Sequence, residues 1–137
     1  MLLETLAIAA SALYLGGALY VALVEQPARL ECPDEQALAQ WLASVRRTPR
    51  WAAWALVGTA AGLTRGGLAV TSTWTWGGAA LLAIVPFTVA AMLPIQRRLA
   101  ESAPAEARAL LERWGRLHWL RVALALAALG LFAFRGT

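Results

Sequence analysis

The segment Trp114-Gly-Arg-Leu-His118-Trp-Leu-Arg121 holds the single histidine of this chain. It also marks the point where a charged stretch gives way to an apolar one that continues to Phe134. If the segment is helical, Trp114, His118 and Arg121 share one face, since residues three and four apart are neighbours on a helix. Ionisable side chains at the mouth of an apolar helix are costly unless they have partners, water or a function. We therefore expect the rest of the chain to surround this face as a bundle.

The composition favours a membrane protein whose main partner is the lipid bilayer. Of the 137 residues, 60% are apolar and only 15% are charged, whereas soluble domains are about 25% charged. The net charge is +4, but the twelve basic residues, all arginine, lie beside apolar segments and form no long basic run. This pattern indicates anchoring at a membrane surface rather than nucleic-acid binding. With one cysteine, Cys32, and one histidine, neither an internal disulfide nor a closed zinc site is expected, so we predict no metal.

Apolar runs predict an all-α fold, a four-span transmembrane helical bundle that forms a single domain over residues 1–137. A spanning helix needs about 20 apolar residues, and the spans are expected at about 2–24, 50–66, 74–95 and 117–134. The first run could instead be a signal peptide, but it begins with Glu4 and no arginine, which favours a retained span. Pro27 is expected to kink or end the first helix.

The connections between spans are expected to contain short amphipathic helices. Pro33-Asp34-Glu35 has the proline and acids typical of a first helical turn, and Ser102-Ala103-Pro104 opens another helix. Gly58, Gly62 and Gly66 are spaced by four, which allows close helix contact. This stripe could pack within the chain or between chains, so a homo-oligomer stays open.

The arginine distribution predicts the orientation in an inner or plasma membrane. Four spans place nine arginines on one side, namely Arg29, Arg46, Arg47, Arg50, Arg97, Arg98, Arg108, Arg113 and Arg116. The other side has two, Arg65 and Arg135, while Arg121 lies within the fourth span. By the positive-inside rule, both termini lie outside and the arginine-rich connections are cytoplasmic.

The candidate site is a group of ionisable and aromatic residues at this cytoplasmic boundary: Glu25, Arg29, Arg50, Trp114, His118 and Arg121. A carboxylate near an imidazole fixes its tautomer, and a guanidinium can hold an anion or a developing enolate. The set suits proton abstraction beside a carbonyl. Tyr14 is a further candidate for the bundle interior. The residues by themselves favour an interfacial salt-bridge cluster without a ligand.

Three stretches resemble the anthrone-oxygenase-like membrane family. They are Tyr20-Val-Ala-Leu-Val-Glu25-Gln-Pro27-Ala-Arg29-Leu30, Met92-Leu-Pro94-Ile-Gln96-Arg-Arg-Leu99 and the segment Trp114–Arg121. Gln96 stands where the family often has asparagine. The resemblance implies oxidation of an anthrone or other small hydrophobic aromatic ligand by molecular oxygen, without metal or organic cofactor. It also implies catalytic roles for His118 as general base and Glu25 as its orienting partner, with Arg29 and Arg121 holding the substrate anion. Trp114, Arg50 and Tyr14 complete the expected substrate-binding set.

Other functions stay open at this point, and whether the protein is an enzyme at all is undecided. A small transporter would use Glu25 as a proton-coupled site, deeper in the bundle and accessible from both sides. An accessory subunit would use the polar residues only to pair with one another. A haem protein would have His118 as its single axial ligand, and an absorption spectrum would test it.

Overall fold

The computed structural model describes residues 1–134, and within them the chain is helical with no β-strand. Five helices follow one another: α1 (Leu2–Leu30), α2 (Asp34–Val45), α3 (Thr48–Gly66), α4 (Thr73–Glu101) and α5 (Pro104–Ala133). The all-α prediction is confirmed. Of the two arginines expected on the outer side, Arg65 lies in the last turn of α3, and Arg135 lies outside the described residues.

The helices enclose two apolar cores, one above the other along the long helices. α1 packs against α3 and α5, and α4 packs against the same two helices. Small side chains such as Ala7 and Ala125, together with Leu81 and Phe132, fill the first core. The second core lies where α2 covers the ends of α4 and α5, around Trp41. Short α2, expected as an amphipathic surface helix, thus buries Trp41 and leaves its polar face outward.

Three helices, α1, α4 and α5, are long and apolar enough to cross a membrane. They support an integral membrane protein. α3 covers the expected span 50–66 over 19 residues, but it contains Arg50 and Arg65 and does not reach the same apolarity. A fourth crossing is therefore not established, and the expected four spans reduce to three candidates on this criterion.

Proline changes the geometry of two long helices without ending them. Of the two outcomes expected at Pro27, a kink or an end, the helix does not end there: α1 continues to Leu30, with a π-helical turn at Val21–Glu25 just before the proline. α4 has a matching π-helical turn at Thr88–Met92, two residues before Pro94. A proline ring clashes with the carbonyl four residues earlier and has no N–H. The wider turn before Pro27 and before Pro94 relieves that conflict within a continuous helix, whereas Pro86 lies in a regular α-helical stretch of α4.

The glycine stripe on α3 packs against other helices of the same chain. A Cβ at Gly58 would lie 2.6 Å from the Leu81 side chain, and one at Gly62 would lie 2.7 Å from the ring of Phe132. Gly66 faces Thr75 in the same way. Of the two alternatives for the stripe, the structure uses it within the chain, where it lets α3 approach α1, α4 and α5 closely.

Candidate functional site

A polar network ties the end of α1 to α2. Oε1 of Glu25 accepts hydrogen bonds from Arg29 Nη2 at 2.7 Å, Ser44 Oγ at 2.5 Å and Gln40 Nε2 at 3.1 Å. Arg29 also donates through Nε to Gln40 and through Nη1 to Gln26. The Arg29 side chain is only 1% exposed, so this buried guanidinium is matched by a carboxylate and two amide oxygens.

The same network reaches α5 through Gln26. Its Nε2 donates to the carbonyl of Leu111 at 2.7 Å. The contact is close because α5 has a glycine opposite it, and a Cβ at Gly115 would lie 2.8 Å from that nitrogen. α1, α2 and α5 are thereby fixed relative to one another at the level of Glu25.

One turn further into the bundle, both ring nitrogens of His118 are hydrogen-bonded. Nε2 lies 2.9 Å from the carbonyl oxygen of Ala18, and Nδ1 lies 2.8 Å from Nη2 of Arg121. A carbonyl only accepts and a guanidinium only donates. Nε2 therefore carries the proton, and the lone pair is on Nδ1. His118 is a neutral imidazole in one tautomer, with its basic nitrogen turned to Arg121.

Trp114 connects the two guanidinium groups of the cluster. Its ring stacks on the His118 ring with centroids 5.3 Å apart and an interplanar angle of 12°. The Cζ atoms of Arg29 and Arg121 each lie 5.7 Å from the Trp114 ring centroid. Contacts of this kind stabilise a cation over an indole, more so when both are shielded from water. Trp114 thus lies between the fully paired Arg29 and the less satisfied Arg121.

Arg121, unlike Arg29, is a buried charge without a counter-ion among the described residues. Its residue is 6% exposed, it forms no ion pair with any carboxylate of residues 1–134, and its Nε is buried without a hydrogen-bond partner. The one hydrogen bond it makes within the described chain goes to His118. A buried cation without a counter-ion is strongly disfavoured. Its surroundings are therefore suited to an anionic ligand.

Two cavities meet at Arg121. The larger, of about 560 Å³, opens between α1 and α3, and we name it the aromatic cavity for the rings that line it. These rings belong to Tyr14, Tyr20, Trp51, Trp114 and His118. The smaller, of about 390 Å³, lies between α3 and α4. Both include Tyr14, Thr48, Ala52 and Arg121 in their walls. Each volume is within the range that holds a small organic ligand.

The structure brings together four of the seven predicted site residues in the aromatic cavity: Tyr14, Trp114, His118 and Arg121. Glu25 and Arg29 adjoin this group behind Trp114 but line neither cavity. Glu25 is not hydrogen-bonded to His118, whose nitrogens contact Ala18 and Arg121. Arg50 is exposed on α3 and lines neither cavity.

Sequence reasoning missed several residues that shape the site. Gln26, Gln40 and Ser44 complete the Glu25–Arg29 network, and Arg47 and Trp51 line the aromatic cavity. The only available signal was the i,i+4 spacing of Gln40 and Ser44, which puts both on one face of α2.

The donor set of the site suits acid–base and anion chemistry. No group of three or more His, Cys, Asp or Glu side chains comes together within residues 1–134 as a metal site would require. A neutral imidazole, whose Nδ1 lone pair accepts a hydrogen bond from Arg121, and that buried guanidinium can together move a proton and hold the resulting anion. The aromatic walls favour a planar apolar ligand between them.

These features define a helical membrane protein with a largely apolar, aromatic-walled cavity whose wall includes a buried imidazole and a buried guanidinium. The anthrone oxygenase family model matches residues 46–131, which include α3, α4 and the part of α5 that carries Trp114, His118 and Arg121. The chain belongs to the anthrone oxygenase family. Neither a curated protein nor a solved structure matches it.

Proposed function

We propose that this protein is an integral membrane oxygenase that converts the methylene of a small lipophilic aromatic ketone, such as an anthrone, into a carbonyl. Family membership supports the reaction class. The observation that carries the site is the buried Arg121, which has no carboxylate partner within residues 1–134 and lines the aromatic cavity beside His118. A cation in that state favours a ligand that becomes an anion during the reaction.

The proposed chemistry starts with proton transfer to His118. Nδ1 is the basic nitrogen, and it becomes available when the ligand oxygen takes over the Arg121 hydrogen bond. The methylene gives its proton to Nδ1, and the electron pair left behind is delocalised onto the ketone oxygen, where Arg121 stabilises it. Nε2–H keeps its bond to Ala18, so the ring does not turn.

Molecular oxygen is the oxidant in this scheme. The carbanion forms a carbon–oxygen bond to O2, and the resulting peroxide takes up the proton from His118. Loss of water, made from the outer oxygen, the proton it has taken up and the remaining methylene hydrogen, leaves the new carbonyl. One CH2 becomes one C=O for each O2 consumed and each water released, so atoms and electrons balance.

Glu25 and Arg29 have indirect roles in this proposal. Their network fixes α1 against α2 and α5, and Arg29 lies over the Trp114 ring that stacks on His118. Arg50 is given no role because it is exposed and lines neither cavity. The transporter alternative relies on Glu25, which is engaged by three donors and lines neither cavity.

The test is oxidation of anthrone by the protein in lipid nanodiscs, followed by quinone absorbance and oxygen consumption. Arg121→Met should lower the rate about 10²- to 10³-fold, the effect of removing one oxyanion donor. Arg116→Met, on the same helix but exposed, is the matched control and should keep the full rate. The oxidation rate of His118→Ala should equal the background rate of empty nanodiscs. Equal rates in all variants, or no turnover above background in the unmodified protein, would refute the proposal and favour an accessory role.

We further propose four membrane crossings, with both termini outside and the arginine-rich connections cytoplasmic. Three long apolar helices and the concentration of arginines at one end support this arrangement. Cys32, the sole cysteine, lies between α1 and α2 and provides a probe. In intact cells a membrane-impermeant maleimide should label Thr71→Cys in a Cys32→Ser background but not native Cys32. The reverse labelling would contradict the orientation.

A further inference from the structure

The two cavities that meet at Arg121 differ in the chemistry of their walls. The aromatic cavity has five rings, whereas the α3–α4 cavity is walled mainly by aliphatic side chains such as Leu56, Ile84, Val85 and Val89. Tyr14 is the one aromatic residue in the wall of this second cavity. An aliphatic wall suits a flexible hydrocarbon chain rather than a stacked planar ring system.

The outer rim of this cavity lies on the lateral surface of the bundle. Leu56, Val85 and Val89 are each between 43% and 57% exposed, and Val85 and Val89 are on α4, one of the candidate spans. In a bilayer these side chains face acyl chains. A hydrocarbon chain can therefore enter the cavity from the lipid without crossing water.

The inner end of the cavity carries an uncompensated positive charge. Arg121 is only 6% exposed and has no carboxylate partner within residues 1–134. Its Nε lacks a hydrogen-bond acceptor. Thr48 and Gln96 add polar groups to the same walls. An apolar cavity with a buried guanidinium in its wall is complementary to a hydrocarbon chain that ends in an acidic oxygen.

We infer that the α3–α4 cavity binds an aliphatic chain with an acidic headgroup, held by Arg121, as a second ligand site beside the aromatic cavity. The hydrocarbon chain has two sources that share this chemistry: a fatty acid from the bilayer, or an alkyl substituent on the aromatic ligand. Because Arg121 is common to both cavities, an acid bound in the α3–α4 cavity excludes an anion from the aromatic cavity. The site does not depend on the proposed oxidation, and its test involves no turnover.

The probe is a diazirine-bearing palmitate, photo-crosslinked to the protein in phosphatidylcholine nanodiscs and mapped by mass spectrometry. Labelling of the α4 segment 84–89 should saturate. Dodecanoate should compete at least tenfold better than dodecanol, which has the same chain without the charge. Arg121→Met should abolish the difference between the two competitors, while Arg116→Met should keep it. Labelling that does not saturate, or that dodecanol displaces equally well, would mean simple partition into lipid and overturn the inference.

A second pair of variants keeps the test valid if Arg121→Met fails to fold. Ala53 lines the α3–α4 cavity but not the aromatic cavity. Ala60 is exposed two turns later on the same face of α3. Ala53→Phe should block dodecanoate competition, and Ala60→Phe should not. Equal behaviour of these two variants would also overturn the inference.

The same variants distinguish the two sources. If the chain belongs to the aromatic ligand, 6-dodecylsalicylate should compete far better than salicylate and also better than dodecanoate, and this gain should be lost in Ala53→Phe. If the bilayer supplies the chain, dodecanoate should compete as well as the alkylated salicylate. Either result supports the site, whereas no benefit of the alkyl chain in either probe would refute it.

Discussion

Nη2 of Arg121 lies 2.8 Å from Nδ1 of His118, so this buried guanidinium, unlike that of Arg29, is hydrogen-bonded to an imidazole rather than to a carboxylate. The pairing determines the protonation of the ring. It also makes the basic nitrogen and the anion-binding group parts of a single unit. Any ligand that attracts the guanidinium also releases the imidazole lone pair, which couples binding of an anion to activation of the base.

The tautomer of His118 is directly testable. At neutral pH, ¹⁵N NMR of histidine-labelled protein should report a protonated Nε2 and an unprotonated, hydrogen-bonded Nδ1. In Arg121→Met, Nδ1 should lose its hydrogen bond, while Nε2 should keep its proton because Ala18 still accepts it. A proton on Nδ1 in the unmodified protein would contradict the assignment.

Arg29 and Arg50 should respond very differently to the same change. Arg29→Gln removes a guanidinium with a side chain 1% exposed and leaves Glu25 without its cation. We expect the free energy of unfolding to fall by about 3 kcal/mol. Arg50→Gln, at an exposed position, should change it by less than about 0.5 kcal/mol. Unfolding in mixed micelles measures both, and equal losses would argue against the buried network.

Trp114 should tolerate loss of its N–H but not loss of its ring. Its Nε1 is buried without a hydrogen-bond partner, so Trp114→Phe removes an unsatisfied donor and keeps an aromatic face beside His118. We expect a change of about 1 kcal/mol or less in the free energy of unfolding. Trp114→Ala should cost about 3–5 kcal/mol through the cavity it creates. Similar losses in the two variants would contradict the expectation that an aromatic face beside His118 is sufficient at this position.

The glycines of α3 and α5 provide a test of packing within the chain. Gly62→Ala places a methyl group 2.7 Å from the Phe132 ring, and overpacking of this kind costs about 1–3 kcal/mol. Gly130→Ala meets nothing within 4 Å and should stabilise the helix by about 0.5–1 kcal/mol. Thermal unfolding with size-exclusion chromatography checks both. A Gly62→Ala protein of unchanged stability but altered oligomeric state would favour contact between chains.

Apolar periodicity and helix-start residues were sufficient to predict the helices. The proline at the start of α5 and the acids that begin α2 mark helix starts that the structure reproduces. The grouping of Trp114, His118 and Arg121 also follows from their spacing, because all three lie on one continuous helix. Such features are local, and local signals are what a single sequence carries.

The partners of these residues could not be predicted, because they depend on how the helices are rotated against one another. Arg29 and Arg50 look alike in the sequence, each beside an apolar segment, yet one is buried and the other exposed. The bonds of Glu25 to Gln40 and Ser44 depend on α2 folding back over α1. Both cavities likewise arise from tertiary packing and have no local signature.

The π-helical turn at Val21–Glu25 sets the phase between the two halves of α1. Such a turn holds one residue more than an α-helical turn, and each residue of an α-helix advances the chain by about 100°. Closing the turn to α-helix at unchanged length would swing Glu25 and Arg29 by about 100° relative to Tyr14 and Ala18, whereas removing the exposed Leu23 would close the turn and keep their direction. A single-codon deletion within this turn should therefore keep the ion pair facing its amide partners, while the same turn rewound at full length would separate them.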